Sequence, residues 1–162
     1  MPEIYTTYYQ SPVGVMEIKG SDSYIMSVLF VEQVGEATDK VSPLLQMCVQ
    51  QFDEYFAGTL RAFTVPMQQT GTEFQQRVWA ALCAIEFGQT FSYLDIALNI
   101  GDANSVRAVG NANGKNQLSL MVPCHRVIGS NGQLVGYAGG LWRKQRLLEH
   151  EAKFARGLLT LF

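Results

Sequence analysis

A thiol, an imidazole and a carboxylate hold the chemistry of this sequence. Cys124 and His125 are adjacent in Pro123-Cys124-His125-Arg126-Val127, and Glu151 comes late in the chain. A thiol attacks as thiolate, and a base within reach raises the fraction present in that form. Adjacency does not supply that base by itself. The run "LSLMV" before the pair reads as a strand, and neighbours in a strand point to opposite faces. A third group is needed. Glu151 lies four residues beyond Leu147 and three beyond Leu148, on the apolar side of the last helical segment. A carboxylate buried there must be paired, and His125 is the inward base available to it. His150 points elsewhere and reads as a surface residue.

The other cysteines read as packing. Cys48 lies on the stripe Leu44, Met47, Cys48, Phe52, Tyr55, Phe56, and Cys83 follows Leu82 in an apolar helix. An odd number of widely spaced cysteines argues against a disulfide framework. No CxxC pair or Cys/His cluster offers a zinc site, so no metal is expected.

The chain has 162 residues and suits one globular unit or two small lobes. No apolar run reaches membrane length and no charged-then-apolar leader opens it, so it reads as soluble and cytoplasmic, with no membrane partner. The net charge of −2 conceals an asymmetry. Residues 1–100 hold four bases against eleven acids, and residues 101–162 eight bases against three acids, leaving −7 and +5. A polyanion would be drawn to the second part.

The elements that must position these residues fall into an α/β (α+β) arrangement. "IYTTYYQ" and "GVMEIKG" flank a turn at Ser11–Gly14, and "YIMSVLF" follows, giving a small antiparallel sheet. A helix starts near Ser42-Pro43 and ends around Gly58, and "FTVPM" reads as a short edge strand. From Gly71 the character changes. Thr72 caps a helix with the stripe Phe74, Val78, Leu82, Ile85, and Phe87-Gly88 stops it. Ser92 with Asp95 makes a capping box for a short helix to Gly101, and a further helix runs from about Ala103 to Ala112. Two short helices around a tight turn suggest helix-turn-helix. The second is built of Ala103, Ser105, Ala108, Gly110 and Ala112, with Arg107 its one long cation. A last helix begins near Gly140. The boundary falls at 70/71, between an α/β lobe (1–70) and a mostly helical lobe (71–162).

Taken together, "SPVG", "FDEYFAG", "GTEFQQRVWAAL", "FSYLDIA", "SVRAVGNANGKN", "VPCHRVIG", "GYAGG" and "KQRLLEHE" span nearly the whole chain. In these motifs the sequence resembles the O6-alkylguanine-DNA alkyltransferases, also called methylated-DNA–protein-cysteine methyltransferases. The resemblance implies a ribonuclease H-like first lobe and a winged helix-turn-helix-like second lobe. It also implies direct-reversal DNA repair without a cofactor, by a monomer that transfers the alkyl group from O6-alkylguanine irreversibly to its own cysteine. The substrate would be double-stranded DNA bound through the minor groove; the motifs leave open whether O4-alkylthymine is accepted as well.

The site residues implied by the resemblance follow motif by motif. Cys124 is the acceptor, and His125 and Glu151 form with a water the relay that removes its proton. Tyr93 donates to the leaving base and crowds the phosphate to turn the nucleotide out. Asn116 is the hinge between the recognition helix and the active-site strand. Arg107 fills the gap left by the flipped nucleotide, and Ser105 and Ala108 let the helix approach the DNA. Val127, Tyr137, Ala138 and Gly139 line the pocket, and Gly136, Gly139 and Gly140 fit a loop of unusual dihedrals. Glu86, Ala103 and Gln117 stand where family members often have proline, which bears on the DNA-contact geometry.

Other readings compete. A non-catalytic lesion-binding relative would lack the acceptor cysteine, and Cys124 is present. A cysteine hydrolase would need an oxyanion hole and an attacking water, and a plain DNA-binding regulator would leave Cys124, His125 and Glu151 without a purpose.

Overall fold

The computed structural model describes residues 2–156 of the chain; the second lobe's last six residues, 157–162, lie outside them. The described residues divide into two compact units, one of residues 2–70 with 117–119, the other of 71–116 with 120–156.

In the first unit, β1 (Tyr5–Ser11), β2 (Gly14–Gly20) and β3 (Ile25–Val31) form an antiparallel sheet in that order. The β1–β2 hairpin closes with Ser11 opposite Gly14, which adopts a φ of 117° that a side chain would resist. The Ser11 hydroxyl donates to the Gly14 carbonyl and accepts from the Val13 N–H. Period-two burial of Met16, Ile18 and Gly20 turns one face of β2 inward. The helix α1 (Pro43–Ala57) covers it. Ser42 caps its start through the Leu45 N–H, and Gly58 ends it in the left-handed region.

The inward face of α1 is Leu45, Cys48, Gln51, Phe52 and Tyr55, whereas Met47, expected on that stripe, is exposed. Gln51 is a polar member of this face. It is satisfied by Thr64, whose hydroxyl accepts from Nε2 at 2.6 Å and whose N–H donates to Oε1 at 3.0 Å. "FTVPM" is not a strand. It makes one parallel bridge, Ile25 to Met67, because Pro66 has no N–H with which to continue a ladder. Residues 117–119 return to β3. The Val28 N–H donates to the Gln117 carbonyl at 2.7 Å and the Ser119 N–H to the Val28 carbonyl at 3.1 Å. Gln117 also uses its own N–H, donated to Gln69 Oε1 at 3.0 Å, a bond the frequent family proline would not make.

The second unit holds α2 (Glu73–Cys83), α3 (Tyr93–Asn99), α4 (Val106–Gly114) and α5 (Leu141–Ala155). Both expected caps form: Thr72 with Gln75 starts α2, and Ser92 with Asp95 starts α3. The core face of α2 is Val78, Trp79 and Leu82; Ile85 is buried but lies past the helix end. Trp79 Nε1 donates to the Ala112 carbonyl at 2.9 Å, tying α2 to α4. The segment expected to be one helix from Ala103 is a 3₁₀ turn, Ala103–Ser105, followed by α4. Two parallel pairs join β4 (Phe91–Ser92) to β5 (Val127–Ile128).

The run from Leu118 to Val122 is not a strand either. Leu120, buried, takes a φ of 70°, and the chain turns there. All-apolar runs of this length do not distinguish strand from a buried irregular segment.

Candidate active site

Cys124, His125 and Arg126 form a single 3₁₀ turn in place of the expected strand. The Cys124 N–H donates to the Val122 carbonyl at 2.8 Å and the Arg126 N–H to the Pro123 carbonyl at 3.0 Å. At three residues per turn, successive side chains project about 120° apart. The thiol therefore faces one way, while His125 and Arg126 both reach Glu151 on α5.

Glu151 is the hub. Its Oε2 lies 2.6 Å from His125 Nε2, and Arg126 donates Nε to Oε1 at 2.8 Å and Nη2 to Oε2 at 3.1 Å. The Gly88 N–H adds a longer bond to Oε1, and Arg126 Nη1 donates to the Ile85 carbonyl. Burial alone would raise the Glu151 pKa, but His125 and Arg126 outweigh it and hold the carboxyl well below the usual range. An ionised carboxylate only accepts, so His125 Nε2 carries the proton of the neutral ring and Nδ1 is its basic nitrogen. His125 is fully buried, and Nδ1 meets no hydrogen-bond partner among the described residues.

The thiol has its own neighbours. Burial pushes the Cys124 thiol up, and the Asn116 side chain and the Lys144 ammonium act against that. Asn116 Nδ2 also donates to the Val122 carbonyl at 2.9 Å, so this residue braces the backbone on the approach to the turn. Lys144 is fully buried on α5, with Nζ donating to the carbonyls of Val135 at 2.9 Å and Gly136 at 3.2 Å. Burial draws its pKa down to about 8, the Cys124 charge acting in the other direction. Tyr93, the first residue of α3, donates its hydroxyl to the same Val135 carbonyl at 2.9 Å. Its pKa is raised by burial and by the Cys124 charge.

The remaining expected residues are spread around this centre. Val127 is fully buried in β5, Tyr137 is half-buried and Ala138 is exposed. Gly136 and Gly140 take positive φ, but Gly139 does not; its carbonyl accepts from Arg143 Nη1 at 2.7 Å. Arg107 and Ala108 are exposed on α4. Ser105 is turned inward, its hydroxyl bound to the Asp102 carbonyl at the junction of the 3₁₀ turn with α4.

Two expectations about individual residues change, and three residues were not expected at all. Cys83 is exposed, because it ends α2 one position beyond the buried Leu82 and turns off the core stripe. His150 is half-buried against Phe87 and Phe154 instead of lying on the surface. Arg126, Lys144 and Asn113 were missed, although Lys144 stands three and seven residues before Leu147 and Glu151 and so shares their helical face.

A buried thiol with an ammonium and an amide against it, next to an imidazole fixed by a carboxylate, places the chain among proteins that act through an activated cysteine. Residues 73–153 match the family described as 6-O-methylguanine DNA methyltransferase, DNA binding domain, and residues 4–69 its ribonuclease-like domain. The chain belongs to the 6-O-methylguanine DNA methyltransferase family. It is 44% identical over 164 residues to the methylated-DNA–protein-cysteine methyltransferase of Mycobacterium leprae, covering 98% of this chain and 99% of that one. It is 43% identical to the constitutive enzyme of that name from Bacillus subtilis, over 83% of this chain and 87% of that one. The crystal structure of Mycobacterium tuberculosis O6-methylguanine methyltransferase superposes with a TM-score of 0.86 at 42% identity, covering 99% of each chain. A structure of Mycobacterium tuberculosis OGT in complex with DNA gives 0.83 at 43% identity, over 91% of this chain and 92% of that one.

Proposed function

We propose that this protein repairs O6-alkylguanine in double-stranded DNA by moving the alkyl group onto Cys124, once per molecule. The observation that carries the reading is the placement of His125. Its Nε2 is held by Glu151, and Nδ1 is left as a buried base with no partner among the described residues, one residue from the thiol. A buried polar nitrogen of this kind is commonly satisfied by water. A water between the Cys124 thiol and Nδ1 passes the thiol proton to the imidazole, and Glu151 stabilises the imidazolium that results. Lys144 and the Asn116 amide then face the thiolate. Arg126 shares the Glu151 carboxylate with His125.

The thiolate attacks the alkyl carbon on the side opposite O6. The S–C bond forms as the C–O6 bond breaks, and the electron pair leaves on the purine. Negative charge then grows on O6 and the ring, and a donor there lowers the barrier. The Tyr93 hydroxyl is that donor once it is released from the Val135 carbonyl. A thioether is a poor leaving group, so the product persists and each chain acts once.

DNA is engaged through α4. Glycine costs an exposed helix about 1 kcal/mol relative to alanine, and packing within the unit does not require it here. A Cβ on Gly110 would meet Tyr93 at 3.9 Å, an ordinary contact, and one on Gly114 would meet nothing. A close external surface explains the small residues, and the minor groove, only about 6 Å wide, is such a surface. Arg107, exposed on this helix, fills the space of the extruded nucleotide and offsets part of the few kcal/mol that extrusion costs. Ala108 lies beside it, while Ser105 supports the helix from within.

The test is stoichiometric. Incubation with an O6-methylguanine duplex is expected to raise the intact mass by one methyl, mapped to Cys124, with none on Cys124→Ser. Turnover beyond one methyl per chain, or a methyl on another residue, would remove this reading.

A further inference from the structure

The turn that follows α2 is fastened to the Glu151 carboxylate, and nothing in the chemistry above uses it. The Gln89 N–H closes this turn on the Glu86 carbonyl at 3.0 Å, and Gly88 takes a φ of 86°, the left-handed value that a type II turn needs at its third residue. Its contacts with the site are specific. Arg126 Nη1 donates to the Ile85 carbonyl at 2.6 Å, and the Arg126 guanidinium lies 5.9 Å from the centre of the buried Phe87 ring. The Gly88 N–H donates to Glu151 Oε1 at 3.3 Å.

Glycine is required here for a second reason. Glu151 and Ala155 stand four residues apart on one face of α5, and Gly88 lies against both. A Cβ on Gly88 would come 2.5 Å from the Ala155 Cβ and 3.6 Å from the Glu151 carbonyl oxygen. The first distance is far inside contact, and a methyl rooted in a helix cannot swing aside. Any side chain at position 88 therefore lifts the turn off α5 and draws its N–H away from Oε1.

That displacement reaches the relay. Oε2 meets His125 Nε2 at 2.6 Å while Oε1 is held by Arg126 Nε and the Gly88 N–H. Arg126 is itself held by the same turn, through Ile85 and Phe87. Lifting the turn loosens both donors to Oε1 at once, and a hydrogen bond weakens steeply as its geometry departs from linear. We propose that Gly88 is a positioning residue for methyl transfer: its bare backbone seats the Ile85–Gly88 turn on α5 and so keeps the Glu151 carboxylate in line with His125 Nε2. The assignment rests on the repair reading above and deepens it.

The experiment pairs single-turnover methyl transfer from an O6-methylguanine duplex with proton NMR of protein labelled with 15N-histidine. The chain has two histidines, His125 and His150, so the ring signals are few. A ring N–H given to a carboxylate over so short a distance is strongly deshielded, and burial slows its exchange with water. Gly88→Ala is expected to slow transfer at saturating DNA by about tenfold, the size of one hydrogen bond to a charged group. It should also move the His125 Nε2 proton upfield and leave DNA affinity unchanged. Removing the facing methyl, in the double variant Gly88→Ala with Ala155→Gly, is expected to restore most of the rate and the resonance. The single-turnover rate constant does not depend on the folded fraction, which shows in the amplitude, so partial misfolding does not imitate the effect. A wild-type rate in Gly88→Ala, a slower rate with an unmoved His125 proton, or no recovery in the double variant overturns the assignment. If wild type acquires no methyl on Cys124, the repair reading itself fails, and the His125 proton in the same variants still decides whether Gly88 seats the carboxylate.

Discussion

His125 Nε2 and Glu151 Oε2 lie 2.6 Å apart although 26 residues separate them in the chain, and both side chains are withdrawn from water. The contact sets which imidazole nitrogen is basic. It also makes Glu151 serve two residues at once, since the same carboxylate carries the Arg126 guanidinium. Removing it is expected to disturb methyl transfer and folding together, and the predictions that follow separate the two.

Glu151→Gln is expected to slow methyl transfer by at least tenfold and to lower stability. The amide cannot fix the tautomer of His125 and leaves the Arg126 charge buried without a counterion, a change that typically costs about 3–5 kcal/mol. Rates measured well below the melting temperature, together with urea midpoints, check this. DNA affinity should stay near wild type, because no exposed face of α4 is altered. A wild-type rate would show that the relay is wrongly assigned.

Acid should destabilise the protein through the same group. The folded Glu151 pKa lies below its unfolded value of about 4.5, so its contribution is fully present above that pH and is lost as pH falls through the folded value. Urea midpoints between pH 7 and pH 3 are expected to fall for wild type and to fall less for Glu151→Gln.

Lys144 titrates in the opposite direction. Its folded pKa of about 8 lies below the ordinary 10.5, so below pH 8 both states are charged and the cost of burying the ammonium is present in full. Between pH 8 and 10.5 the unfolded chain binds more protons, and stability rises with pH. Cys124, with its raised pKa, works against this above pH 9. Cys48, also raised, opposes it above pH 9, so in a Cys124→Ser background the rise should be read between pH 8 and 9, and Lys144→Met should abolish it there. In the native cysteine background Lys144→Met is expected to slow transfer, since the thiolate loses its facing charge and the carbonyls of Val135 and Gly136 lose their donor.

The three cysteines should separate by reagent. Cys83 is exposed and is expected to react first with a small soluble alkylating agent, while Cys48, buried and raised to about 12, should stay unlabelled in folded protein. Alkylated DNA should reverse the order and modify Cys124 alone. Peptide mapping after each treatment gives the answer, and transfer from DNA to Cys83 would contradict the assignment of the acceptor.

Arg107→Ala distinguishes binding from flipping. Loss of a phosphate contact alone would weaken binding modestly and reduce the salt slope by about one unit. Loss of a wedge penalises the extruded state, so repair of duplex should fall much further than affinity. Reaction with the free base O6-benzylguanine, which needs no extrusion, should be nearly unchanged where the pocket admits benzyl. Equal losses on both substrates would place Arg107 in support of the fold.

Much of this was legible in the sequence because it is local. The hairpin at Ser11–Gly14 and the caps at Ser42, Thr72 and Ser92 depend on residues within a few positions of one another, and all form as expected. The inward position of Glu151 followed from helical periodicity, and its pairing with His125 from the rule that a buried carboxylate needs a partner. The tertiary structure decided the rest. Whether "LSLMV" and "PCHRV" were strand or turn could not be read from an apolar run; the left-handed Leu120 and the 3₁₀ turn at Cys124 exist because surrounding contacts hold them. That turn lets Arg126 share Glu151 with His125, a relation between residues 25 positions apart that no spacing rule contains. Lys144 and Asn113 were on faces that periodicity could have marked as inward, but a buried lysine or asparagine declares its purpose only through what it meets. For Lys144 those are loop carbonyls and for Asn113 the Cys124 carbonyl, groups that only the folded chain brings within reach.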